Sequence, residues 1–150
     1  MIQRIQSLFL LVNIFLLLLL FKLTLFQGKT AAMQVSYTVI NTVTTTSQSA
    51  SIAETNFLHI FLNAGLVLIT VVCIFLFRNR KLQMKVCLIS ILLLAFSFLL
   101  LFMKKVSYSF TESSFLLGTY LLIIIAILYL SSYFFIKKDD ELVKSADRLR

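Results

Sequence analysis

The sequence has 150 residues and carries a formal net charge of +8. Apolar residues make up 60% of it and charged residues only 13%, against roughly 45–50% and about 25% in soluble domains. A chain of this length that folded in water would leave about 30% of its surface exposed, and would therefore carry large apolar patches. The composition argues against a water-soluble domain and predicts a protein that folds in a lipid bilayer.

Four apolar runs are long enough to cross a bilayer, because about 20 helical residues, with a range of roughly 17–25, span the hydrocarbon. They are residues 8–26, 57–77, 86–103 and 115–136. Lys22 is the only Lys, Arg, Asp or Glu within them. The first run exceeds the roughly 7–15 residues of a signal-peptide core, so we expect it to be retained. The prediction is an all-α membrane protein, a four-helix bundle forming a single domain.

Lysine and arginine residues predict the orientation, because short loops rich in them stay in the cytoplasm. Ten of these residues precede the first run, lie between the second and third, or follow the fourth, whereas three lie in the other two loops. This bias predicts an integral inner-membrane protein with both termini in the cytoplasm. Loops 27–56 and 104–114 are then periplasmic, and loop 78–85 is cytoplasmic.

The first periplasmic loop contains a segment that favours a β-strand. Residues 34–40 alternate polar and apolar side chains and are rich in β-branched and aromatic types, which favours a half-exposed strand. Residues 42–51 are rich in Ser and Thr and are expected to form no core. We expect either one small hairpin or a partly disordered loop, which serves as a connector or as a binding surface.

Small and polar side chains on one face of each span predict where the helices pack, because such residues allow close approach and hydrogen bonds in lipid. The predicted packing residues are Asn13, His59, Asn63, Thr70, Ser90, Ser97, Gly118 and Ser132. His59 lies near the outer end of its span, and no span contains an acid, so an interfacial role is favoured over a proton relay. Cys73 and Cys87 are expected to be buried apolar filler in a reducing compartment rather than a disulfide or a metal site.

Residues 137–150 are predicted to continue the fourth helix into the cytoplasm and to pack beneath the bundle, with an apolar stripe against the ends of neighbouring helices or against a partner. With the inner loop they form a predicted docking surface, composed of Arg78, Arg80, Lys81, Lys85, Leu142, Lys144, Ala146, Arg148 and Leu149. Its expected partners are anionic lipid headgroups or another integral membrane protein, and nucleic acid is the least favoured. The alternative is a solvated helix end that only fixes topology.

Catalytic motifs are missing from the sequence: it contains no GxSxG, HExxH, P-loop or GxGxxG. We therefore expect no catalytic residue, cofactor or metal. The leading interpretation is a non-enzymatic accessory or scaffold subunit of a larger membrane assembly. The alternatives are a small oligomeric transporter or channel, which an intramembrane carboxylate or a broken helix would have favoured, and a lipid-modifying enzyme, which would need clustered His, Asp or Glu.

Three stretches carry a family resemblance: MIQRIQS at 1–7, RNRKLQ at 78–83 and KKDDELVKSADRLR at 137–150. Through them the chain resembles, along its whole length, the bacterial "domain of unknown function 4293" family of Bacteroidota. The resemblance implies a four-span inner-membrane protein and supplies no activity. The order of one span, a strand-prone outer loop and three further spans is also similar in layout to claudin-like tetraspans, whose Trp and disulfide signature is missing here.

Overall fold

The computed structural model describes residues 2–29, 33–46, 49–107 and 110–148, and within them it contains four α-helices, one short 3-10 helix and five β-strands. The helices are α1 Ile2–Leu20, α2 Phe57–Phe75, α3 Arg80–Ser107 and α4 Leu117–Arg148, with the 3-10 helix at Leu76–Arg78. The strands are β1 Thr24–Lys29, β2 Gln34–Thr38, β3 Asn41–Thr46, β4 Ser49–Thr55 and β5 Glu112–Phe115.

The prediction of an all-α protein is wrong, because the strands form one antiparallel sheet in the order β4-β3-β2-β1-β5. Four of the strands lie between α1 and α2, and the fifth directly precedes α4. The two segments predicted as separate outer loops therefore meet in a single sheet. The fold is a four-helix bundle with a five-stranded sheet at one end.

The first predicted span is too long by six residues, because α1 ends at Leu20 and the chain turns before entering β1. Leu25 and Phe26 have no exposed surface, and Phe26 stacks on Tyr37 of β2 with ring centroids 5.0 Å apart. These two residues are apolar because they form the core between sheet and helices. In the sequence, an apolar run that passes from a helix into a buried strand cannot be distinguished from a single membrane span.

The Ser/Thr-rich residues 42–51, expected to form no core, lie mostly in the β3–β4 hairpin. Four of the six residues in β3 are Thr, which is β-branched and favours extended backbone. The hairpin does not need a core of its own, because β3 also pairs with β2, where Val35 and Tyr37 are buried. The strand predicted within 34–40 is β2.

Each helix packs against two others, α1 and α3 both lying between α2 and α4. The interior faces carry buried residues at helical spacing, such as Leu10, Asn13 and Leu17 in α1. Large apolar side chains cover the outside, where Phe61 is 75% exposed and Leu92 is 69% exposed. By length and composition, α2, α3 and the 117–145 part of α4 are able to cross a membrane, and the apolar part of α1, Gln6–Leu20, is shorter.

Asn56 and Thr119 attach the sheet to the bundle. Asn56, between β4 and α2, donates from its backbone N–H to the Ile40 carbonyl at 2.8 Å and from Nδ2 to the Thr38 carbonyl at 3.0 Å. Thr119 in the first turn of α4 donates to the Leu25 carbonyl of β1 at 2.5 Å. The sheet is therefore fixed to the ends of α2 and α4.

Candidate functional site

The predicted packing residues all lie buried in the structure. Asn63 donates to the Leu17 carbonyl of α1 at 3.2 Å, and Thr70 of α2 forms a hydrogen bond with Tyr129 of α4. Ser90 and Ser132 instead donate to carbonyl oxygens one turn earlier in their own helices. Ser97, Asn13 and His59 complete the buried set together with Gly118.

Gly118 makes its close approach to a strand rather than to another helix. A Cβ atom added there would lie 2.7 Å from the Thr24 carbonyl oxygen and 3.0 Å from a Leu25 side-chain carbon of β1. Glycine at this position therefore lets the start of α4 pack directly against β1.

Sequence reasoning missed two side chains that join helices. Tyr129 has no exposed surface and links α4 to α2 through Thr70. Gln83 is 3% exposed and donates to the Cys73 carbonyl of α2 at 3.2 Å. Gln83 lies four residues before Cys87 on the buried face of α3. Helical spacing would have identified it if the predicted third span had begun before residue 86.

Cys73 and Cys87 face each other across α2 and α3, with their Sγ atoms 3.6 Å apart. Both are free thiols and at most 1% exposed. The separation is well beyond the roughly 2.05 Å of a disulfide bond. Within the residues that the structure describes, no three His, Cys, Asp or Glu side chains are grouped so as to hold a metal ion.

Two residues of the predicted docking surface, Arg80 and Lys144, form ion pairs with acidic residues of α4. Arg80, at the start of α3, pairs with Asp139 of α4 at 3.1 Å, and Lys144 pairs with Asp140 one turn away. Lys81 and Lys85 are exposed. The side chains of Arg78, Ala146 and Arg148, and all of Leu149, lie outside the described residues.

The predicted packing of the tail beneath the bundle is not seen at its described residues, because α4 continues unbroken to Arg148. Residues 141–145 are all exposed, and Leu142 is 48% exposed. Good helix formers without Gly or Pro follow Ile136, and nothing in them bends the helix away from its axis.

A cleft of about 570 Å³ opens where the sheet meets the ends of α2 and α3. Apolar side chains form its helical wall: Phe57, Leu58, Leu100 and Met103. Residues of the sheet and helix ends form the rest: Tyr37, Glu54, Thr55, Asn56, His59, Lys104 and Ser107. We call this the outer cleft. Its volume lies within the roughly 300–1,000 Å³ typical of small-molecule sites.

Two polar features distinguish the outer cleft. His59 is 4% exposed and packs edge-on against Tyr37, with ring centroids 5.6 Å apart, and among the described residues its Nε2 atom has no hydrogen-bond partner. At the mouth, Lys104 Nζ lies 3.1 Å from Glu54 Oε2. Sequence reasoning used Lys104 only to assign orientation, because no pattern links two residues 50 positions apart.

The outer surface of the bundle is largely apolar, which is compatible with a membrane protein, and three of the helices are long and apolar enough to cross a bilayer. The chain belongs to the family described as Domain of unknown function (DUF4293), whose model matches residues 2–149. No curated protein matches the chain.

Proposed function

We propose that this protein is a non-enzymatic accessory or scaffold subunit of a larger assembly in the bacterial inner membrane. The whole of α1, with 19 residues, is about 29 Å long at 1.5 Å per residue, but its apolar part, Gln6–Leu20, is shorter than the roughly 30 Å of hydrocarbon. α1 would complete four spans with its first turn at the bilayer interface. The distribution of Lys and Arg orients the sheet toward the periplasm and the end of α4 toward the cytoplasm.

The observation that carries this proposal is the length of α4. Its 32 residues extend for about 48 Å, well beyond the hydrocarbon thickness. The helix passes the start of α3 at the Arg80–Asp139 ion pair and continues to Arg148. Along the projecting part Leu142 is 48% exposed and Val143 is 40% exposed. A rigid helix that presents apolar side chains outside the bilayer is suited to docking.

A protein is a better partner for this helix than a lipid surface. Residues 137–148 contain four Lys or Arg and four Asp or Glu, so their net charge is 4 − 4 = 0. Each basic residue near anionic headgroups contributes about 1 kcal/mol, and the acids offset that attraction. Leu142 and Val143 instead provide apolar anchors for a groove on a partner. Lys81 and Lys85, on the inner end of α3, remain available to headgroups.

The test is affinity purification of full-length protein from its native membrane in mild detergent, with quantitative mass spectrometry. The wild type is expected to recover a partner protein in fixed stoichiometry. Leu142→Glu combined with Val143→Glu is expected to reduce its recovery about tenfold, because buried apolar anchors dominate such interfaces. Lys137→Gln with Lys138→Gln, one to two turns earlier on the same helix, is the matched control and should retain it.

Two outcomes contradict the proposal. One is recovery of the wild-type protein alone at its monomer mass. The other is full retention of the partner by the Leu142→Glu, Val143→Glu variant, which would make the end of α4 a solvated helix end. Both variants change exposed side chains, so insertion should be unaffected, and size-exclusion profiles check this.

A further inference from the structure

We propose that the outer cleft binds one zwitterionic aminophospholipid, with its phosphate on Lys104, its ammonium group on Glu54 and an acyl chain along the helical wall. This inference rests on the membrane placement proposed above and not on the existence of a protein partner. It is carried by three observations: the division of the cleft into apolar and polar walls, the unpartnered His59 nitrogen, and the paired charges at the mouth.

The apolar wall continues the surface that faces lipid. Phe57 is 67% exposed and Leu58 55% exposed at the start of α2, and Met103 is 61% exposed near the end of α3. The start of α2 and the end of α3 lie at the same end of the bundle, and these residues are located there. A lipid chain that lies along α2 and α3 would therefore pass into the cleft without crossing a polar barrier.

The buried imidazole of His59 gives the cleft a ring nitrogen that has no hydrogen-bond partner among the described residues. A buried polar atom that forms no hydrogen bond is costly and calls for an explanation. The Nε2 atom of His59 is such an atom, on a side chain that lines the cleft and is 4% exposed. Nε2 itself has almost no accessible surface, so an ester or phosphate oxygen of a lipid would accept a hydrogen bond from the Nε2–H tautomer once the cleft widens beside this side chain.

The charges at the mouth select the headgroup. A lone Lys104 would favour any anionic lipid, but Glu54 lies 3.1 Å from it and repels a headgroup that carries only negative charge. A headgroup with both a phosphate and an ammonium group satisfies both side chains. The pair is open to such an exchange, because its side chains are 42% and 57% exposed and exposed ion pairs contribute little to stability.

The experiment titrates purified full-length protein in detergent with phosphatidylethanolamine or phosphatidylglycerol of identical acyl chains, and counts bound lipids by native mass spectrometry. We expect one phosphatidylethanolamine to bind about tenfold more tightly than phosphatidylglycerol. Glu54→Gln should remove this preference, and Lys104→Gln should weaken both lipids about tenfold. His59→Leu should weaken binding, whereas His59→Gln, which keeps a donor, should weaken it less.

Lys105→Gln is the matched control, because Lys105 is adjacent in sequence but its Nζ lies over the Phe115 ring, 3.8 Å from the centroid. It should leave the preference unchanged. Equal or tighter binding of phosphatidylglycerol by the wild type would overturn the proposal. A distribution of bound-lipid numbers that shows no preferred site would also overturn it. So would an equal loss of lipid binding in the Lys104→Gln and Lys105→Gln variants. None of these outcomes depends on a protein partner, so they are distinguishable from failure of the proposed function.

Discussion

Replacing Tyr129 with alanine is expected to lower the free energy of unfolding by about 3–5 kcal/mol, the usual cost of deleting a buried aromatic ring. Tyr129 has no exposed surface, and its hydroxyl joins α4 to Thr70 of α2. The cost persists in lipid, where helices gain no hydrophobic driving force, because the cavity removes packing contacts on which association depends.

The measurement is unfolding of purified protein in mixed micelles at increasing SDS fraction, followed by circular dichroism. Tyr120→Ala is the matched control, because Tyr120 lies in the same helix and is 57% exposed. Tyr129→Phe keeps the ring and should cost only about 0.6 kcal/mol, the average for a hydrogen bond between membrane helices. Equal losses in the Tyr129→Ala and Tyr120→Ala variants would contradict a central position for Tyr129.

Replacing Gly118 with alanine is expected to lower the free energy of unfolding by about 1–3 kcal/mol, the range for overpacking. The new methyl group would lie 2.7 Å from the Thr24 carbonyl oxygen. That atom belongs to the backbone of β1 and cannot rotate away, so α4 and the sheet must separate. The loss should appear in the same SDS titration.

Gly65→Ala supplies the control for this substitution, because a Cβ atom at Gly65 in α2 meets nothing within 4 Å. Alanine is there the better helix former by up to about 1 kcal/mol, so this variant should be neutral or more stable. If Gly118→Ala and Gly65→Ala change the free energy of unfolding in the same direction, α4 does not pack against β1 as closely as it does in the structure.

The helical part of the fold could be predicted because long apolar runs have few alternatives to helices in lipid. The predicted runs 57–77, 86–103 and 115–136 overlap α2, α3 and α4. The sheet could not be predicted as a whole, because its registers join distant segments: Phe26 is opposite Phe115, and Asn41 is opposite Thr55. Local patterns found β2 alone, whose polar–apolar alternation is visible without its neighbours.

Some buried polar residues of the bundle could be identified in the sequence for a simple physical reason, although Gln83 was missed. A polar side chain within an apolar run is conspicuous, and helical spacing assigns Asn63 and Thr70 to one face. The outer cleft was not found, because it depends on the pairing of Glu54 with Lys104 across the end of the bundle. His59 was recognised as interfacial, but its neighbours in space come from β2 and from the end of α3.

The central claim is that the sheet and the projecting end of α4 lie on opposite sides of a membrane. Single cysteines test it, introduced as Ser113→Cys in β5 or Ser145→Cys in α4 on a chain with Cys73→Ala and Cys87→Ala; both serines are exposed. Spheroplasts are treated with a membrane-impermeant maleimide before or after lysis. The Ser113→Cys protein should react before lysis and the Ser145→Cys protein only after it. Labelling of both positions in intact spheroplasts, or of neither, would contradict the account.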